Sequence, residues 1–87
     1  MTAHPSHPDI VKRLRRAEGH LRSIVAMLEE GRDCLEIAQQ MQAVESAVGN
    51  AKKTLVHDHI DHCLAHAVDG VGTREAISQF KAITKYL

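Results

Sequence analysis

Between Gly31 and Gly70 the chain carries one apolar repeat without a break. Ile37, Met41, Val44, Val48, Ala51 and Leu55 recur at alternating steps of four and three, and the pattern continues through Cys63 to about Ala67. That alternation is the seam of an α-helix. Roughly thirty-five residues at about 1.5 Å each make a rod about 50 Å long. A globule of 87 residues has a radius of gyration of only about 12 Å. A helix that long needs packing partners beyond its own chain. Its one blemish is Gly49-Asn50, where glycine costs about 1 kcal/mol relative to alanine. The seam holds phase across Gly49, so we read it as a close helix crossing rather than a break.

The flanks follow the same logic. Ile10, Leu14, Ala17, Leu21, Ile24 and Leu28 form a second seam, which predicts a helix over about 7–30 behind a short polar mobile tail, residues 1–6. Ser6 and Asp9 stand as a capping box with Asp in the Glu position, and Gly31 suits the left-handed position just past the helix end. Asp33 with Glu36 opens the long helix, about 33–68. After Gly70-Val71-Gly72, Thr73 starts a third helix over 73–87 with Ala76, Phe80, Ile83 and Leu87 on one face. No strand pattern competes. The expected fold is all-α: three helices in a single domain, 1–87, pairing antiparallel with a second copy as a four-helix bundle.

Composition reinforces the need for that second copy. A chain of this length buries only about 60–65% of the surface its unfolded form exposes, and one Phe, one Tyr and no Trp leave the core to small aliphatic side chains. Two cysteines, with no signal peptide and no apolar run of membrane length, suggest a cytoplasmic protein with reduced thiols. No membrane association is expected.

The chemistry is concentrated in His57-Asp58-His59-Ile60-Asp61-His62-Cys63-Leu64-Ala65-His66, which holds four histidines and one of the two cysteines. On a helix His59 and Cys63, four apart, lie on one face and can offer an imidazole and a thiolate to one ion. Cys34 is the other thiol. An antiparallel pair of long helices brings Cys34 of one chain near His59 and Cys63 of the other, a donor set suited to Cu(I), Ni(II), Co(II) or Zn(II). The plainer alternative is that both cysteines are small buried hydrophobes and the histidines coat a solvated face.

The net charge is zero but unevenly placed: Lys12, Arg13, Arg15, Arg16 and Arg22 face only Glu18 over eleven residues. Lys12, Arg15, Arg16 and Arg22 fall opposite the Leu14/Leu21/Leu28 seam. Such a stripe is either the solvated face of an amphipathic helix or, repeated by symmetry and joined by Lys52 and Lys53, a surface that tracks DNA phosphates. No helix-turn-helix is present, because no short recognition helix follows a tight turn.

Arg13-Leu14-Arg15-Arg16-Ala17-Glu18-Gly19-His20-Leu21-Arg22, then Cys34, Gln39-Gln40 with Ala43-Val44, and finally His59 with Cys63, resemble the CsoR/RcnR family of metal-sensing and formaldehyde-sensing bacterial repressors. The resemblance spans nearly the whole chain. It implies a homo-oligomer, a dimer of dimers, that binds operator DNA as apo-protein and releases it when an effector fills an intersubunit site. Members differ at four site positions, of which the last three read Cys34, His59 and Cys63 here, the combination associated with copper sensors. His4 or His7 would supply the first, the addition that nickel and cobalt sensors make.

The His-Pro-Asp-Ile-Val-Lys-Arg-Leu start and the Asp-His-Ile-Asp-His-Cys helix resemble the branch linked to nickel or cobalt efflux. Ni(II) and Co(II) prefer four or more ligands with added nitrogen, whereas Cu(I) accepts two thiolates and one imidazole. The expected effector is therefore Ni(II) or Co(II), with Cu(I) as the alternative. Asp33 stands where copper sensors often carry an aromatic residue. Formaldehyde sensing ranks lower, because the family's aldehyde sensors use an N-terminal proline and residue 2 is Thr. Enzyme activity is not expected: no Gly-rich phosphate loop, oxyanion hole or roomy pocket for a small-molecule substrate is legible. A metal-buffering protein would use the same ligands without binding DNA.

Overall fold

The computed structural model describes residues 5–69 and 73–87. Three α-helices follow in order: α1 His7–Glu29, α2 Cys34–Asp69 and α3 Thr73–Ile83, with a 3-10 turn at Thr84–Tyr86. The molecule extends 57 × 22 × 13 Å with a radius of gyration of 17.7 Å. It is the predicted rod, well above the compact value of about 12 Å for this length.

Local signals set most boundaries. Gly31 takes φ +72, and Arg32 N donates to Met27 O while Gly31 N donates to Leu28 O. This Schellman pair satisfies the last carbonyls of α1. Asp33 then caps α2, its Oδ2 accepting from Glu36 N at 3.2 Å. The third helix stops earlier than expected. Thr84 Oγ1 donates to Lys81 O at 2.7 Å, and the chain winds tighter into the 3-10 turn.

α1 runs back along α2 with Ile10, Ala17 and Ile24 buried against it, while Ile37 and Ala51 are the buried residues of the facing seam. Side-chain hydrogen bonds cross the same groove. Ser6 Oγ donates to Asp58 Oδ2 at 2.6 Å, and His20 Nε2 donates to Gln40 Oε1 at 2.5 Å. Asp58 and Gln40 are about five turns apart and so lie in register on one stripe of α2. α3 returns on another side: Tyr86 and Leu87 meet Lys53, Val56 and His57 around a cleft of about 310 Å³.

Further expectations need correction. The Ser6/Asp9 capping box does not form, because the Ser6 hydroxyl is bonded to Asp58 and Asp9 pairs with Arg13 at 2.8 Å. Ser6 makes no side-chain cap to its own helix, and it is anchored rather than part of a mobile tail. The first seam divides: Ile10, Ala17 and Ile24 are covered, whereas Leu14, Leu21 and Leu28 stay 43–58% exposed. Leucines four residues on from the covered positions sit about 40° further round α1, where α2 no longer reaches. Finally, α2 passes through Gly49 unbroken, yet a Cβ there would meet nothing within 4 Å. No helix of the described chain crosses closely at that point.

Candidate metal centre and nucleic-acid interface

α2 positions the thiol and imidazole donors. Cys34 is its first residue and exposed, while Cys63 is 4% exposed, near the far end. Cys63 lies two turns beyond buried Val56, on the side of α2 where Tyr86 and Leu87 meet Val56. His59 is half-buried and one turn before Cys63, so the two lie on one face of α2. Cys34 and His59 are separated by 25 residues of continuous helix, roughly 37 Å along the axis. They cannot share an ion within one chain. Consistent with this, no three His, Cys, Asp or Glu side chains converge among the described residues.

The N-terminal donors divide. His4 lies outside the described residues. His7 is the exposed first residue of α1. Its neighbour Ser6 is bonded to Asp58, the residue before His59, so the structure brings His7 to the same end of the molecule as His59 and Cys63. Sequence periodicity did not foresee the anchor, because it treated Ser6 as a local cap.

Exposed apolar residues trace a line across the same helix. Cys34, Met41, Val48 and Leu55 recur every seven residues, and all are exposed. His59 follows Leu55 by one turn. The line runs from one donor to the next along a flank that no part of the described chain covers.

The basic stripe is real and solvent-facing. Lys12, Arg15, Arg16 and Arg22 are all exposed on the side of α1 away from α2. Among the described residues Lys12, Arg15 and Arg16 have no carboxylate partner, whereas Arg22 pairs loosely with Glu18 at 3.7 Å. Arg13 is engaged by Asp9. Lys52 and Lys53 are also exposed. However, Lys53 lies roughly 140° around α2 from the Asp58 stripe that meets α1, so the fold of one chain does not join it to the α1 stripe.

Known proteins resemble this chain in sequence and fold. Residues 6–86 match the family described as metal-sensitive transcriptional repressor. The copper-sensing transcriptional repressor CsoR of Bacillus subtilis is 40% identical over 80 residues, covering 87% of this chain and 79% of that protein. The copper-sensing repressor RicR of Mycobacterium tuberculosis is 42% identical over 57 residues, covering 66% of this chain and 59% of that protein. Among solved structures, the nickel-responsive transcriptional regulator InrS superposes with a TM-score of 0.84 at 27% identity, over 100% of this chain and 99% of that one. The protein belongs to the CsoR/RcnR family of metal-sensitive transcriptional repressors.

Proposed function

We propose that this repressor binds operator DNA as apo-protein and releases it when Ni(II) or Co(II) occupies a site built from Cys34 of one chain and His59 and Cys63 of another. It acts by binding alone, without enzymatic turnover, in the cytoplasm. The observation that carries the reading is the exposed line from Cys34 through Met41, Val48 and Leu55 to His59 on one helix flank. An antiparallel copy laid on that line, with its two-fold near Val48, sets each Cys34 beside the partner's His59 turn. Cys34 precedes Val48 by 14 residues, and His59 and Cys63 follow it by 11 and 15. The same packing covers apolar surface that a monomer leaves in water, which supports a dimer and, with the Leu14/Leu21/Leu28 flank still open, a dimer of dimers.

His7 favours nickel or cobalt. Two thiolates and one imidazole already suffice for Cu(I), whereas the larger coordination number of Ni(II) or Co(II) calls for further nitrogen. The anchored start of α1 holds His7 at the His59 end. His4 precedes it by three residues and is the other donor of that kind. Lys12, Arg15, Arg16 and Arg22 form the primary phosphate contacts, and Lys52 and Lys53 join them only in the assembled oligomer. The second reading, Cu(I), is favoured by the 40% identity to a copper-sensing repressor and by the Cys-His-Cys set itself.

The test is operator release followed by fluorescence anisotropy, titrated separately with Ni(II), Co(II), Zn(II) and anaerobic Cu(I), on a duplex selected by the apo-protein from randomised DNA. Release by Ni(II) or Co(II) near stoichiometric metal supports the first reading. Release by Cu(I) alone supports the second. Tight metal binding with no selected DNA at all would make the chain a metal buffer.

A further inference from the structure

Ser6 occupies the position where serine ordinarily folds its hydroxyl back onto the first-turn amides of its own helix, a cap that stabilises the helix start. Here it does not. Ser6 has helical backbone angles, φ −80 and ψ −18, and makes no such cap. Its hydroxyl instead donates across the groove to Asp58 Oδ2, 52 residues away, at 2.6 Å and partly buried. A residue that forgoes its local role for a long-range bond marks a place where something other than helix stability has set the sequence.

The bond joins two particular points. Asp58 precedes His59 in the rigid backbone of α2, so a shift or rotation of the His59 turn carries the Asp58 carboxylate with it. Ser6 begins α1, and α1 is continuous from His7 to Glu29. A displacement at its first turn is therefore passed along one rigid rod to Lys12, Arg15 and Arg16. A second polar bridge, His20 to Gln40, lies beyond those three residues and about 21 Å further along α1. Ser6 and His20 thus bracket Lys12, Arg15 and Arg16, one bond at the His59 end of α2 and the other nearer its Cys34 end. Movement at Ser6 relative to His20 tilts Lys12, Arg15 and Arg16 between them.

We propose that the Ser6 to Asp58 hydrogen bond is the positioning contact through which occupancy at the His59 turn changes the orientation of the DNA-binding helix. This rests on the repressor reading above and adds the link between its two sites. Neither residue holds the effector or touches DNA; each acts through a neighbour. Coupling between sites needs a contact that differs between two states, and this bond ties the residue before His59 directly to the start of the basic helix, whereas the His20 to Gln40 bridge crosses the groove beyond Lys12, Arg15 and Arg16.

The experiment compares full-length wild type with Ser6→Ala, Ser6→Thr and Asp58→Asn. Each is measured for helicity, metal affinity by chelator competition, and operator affinity with and without Ni(II), Co(II) or Cu(I). The readout is the ratio of apo to metal-loaded operator affinity, which allosteric coupling of ordinary strength places at about 5- to 150-fold. Ser6→Ala should cut the wild-type ratio by at least about fivefold, while helicity, apo operator affinity and metal affinity stay within about twofold of wild type. Ser6→Thr, which keeps the hydroxyl, and Asp58→Asn, which keeps an acceptor oxygen, should restore most of the ratio. A wild-type ratio in folded Ser6→Ala overturns the proposal and leaves the repressor reading intact. Loss of helicity and of both affinities in Ser6→Ala without rescue by Ser6→Thr also overturns it, as a purely structural contact. Absence of any metal response in the wild type removes the repressor reading and the proposal with it.

Discussion

Cys34 and His59 stand on one unbroken helix, 25 residues and roughly 37 Å apart, yet both lie on the flank marked by exposed Met41, Val48 and Leu55. This relationship turns a set of ligands into a statement about assembly. Donors that cannot meet within a chain, on a face that one chain leaves open, can serve one ion only between chains, as the proposed site requires. In the proposed site, metal binding is coupled to quaternary geometry, and the Ser6 to Asp58 bond ties the His59 end of that site to the basic helix.

Removing the donors should separate sensing from folding. Cys34→Ala and His59→Ala should leave helicity and apo operator affinity near wild type and abolish metal-driven release. Cys63→Ala should do the same with a stability cost of about 1 kcal/mol, because Cys63 is buried and its sulfur leaves a small void. Circular dichroism melts beside anisotropy titrations check both parts. Wild-type release by any of the three variants strikes that residue from the site.

The basic face should titrate with salt. Arg15→Ala/Arg16→Ala should weaken operator binding and lower the slope of log affinity against log salt by about one for each phosphate no longer neutralised, with metal affinity unchanged. Arg22→Ala should have a smaller effect, since Glu18 already draws on its charge. Lys52→Ala and Lys53→Ala should act only in the assembled oligomer. An unchanged salt slope in the double variant would reassign the stripe to a solvated face.

The start of α1 should discriminate between metals. His7→Ala, alone and combined with His4→Ala, should sharply weaken release by Ni(II) or Co(II) and alter the Co(II) ligand-field spectrum. Release by Cu(I) should barely change, because Cys34, His59 and Cys63 complete a trigonal set. If the spectrum and the nickel response both survive the double variant, Cu(I) becomes the preferred effector.

The uncovered leucines should hold the assembly. Leu14→Glu/Leu21→Glu places charge on residues 43% and 51% exposed in the chain, so the individual fold tolerates it while an apolar interface does not. Sedimentation should show a smaller species with helicity retained. Wild-type sedimentation of the variant would mean that this flank stays in solvent.

Much of this was legible in the sequence because it is local. The four-three spacing places three helices, the Asp33 and Glu36 pair starts α2, and Gly31 ends α1 through a left-handed turn that its own neighbours complete. The i, i+4 spacing pairs His59 with Cys63 for the same reason. What escaped depends on distant parts of the chain. Ser6 reads as a cap until Asp58 is placed beside it. A seven-residue repeat cannot show that α2 covers Ile10, Ala17 and Ile24 but not Leu14, Leu21 and Leu28, because both sets satisfy one helical pattern. Burial of Cys63 depends on packing from elsewhere in the fold, which its own segment does not encode.

The central claim, a metal site shared between chains, is tested most directly by subunit complementation. Cys34→Ala protein is unfolded, mixed with His59→Ala/Cys63→Ala protein, refolded together and purified as the hybrid through distinct affinity tags. Neither parent should bind metal tightly. In the hybrid, one intersubunit site regains an intact Cys34, His59 and Cys63 while its symmetry mate loses all three, so tight binding should return at half the wild-type stoichiometry per chain. A hybrid that binds no metal tightly would contradict the intersubunit site and the coupling built on it.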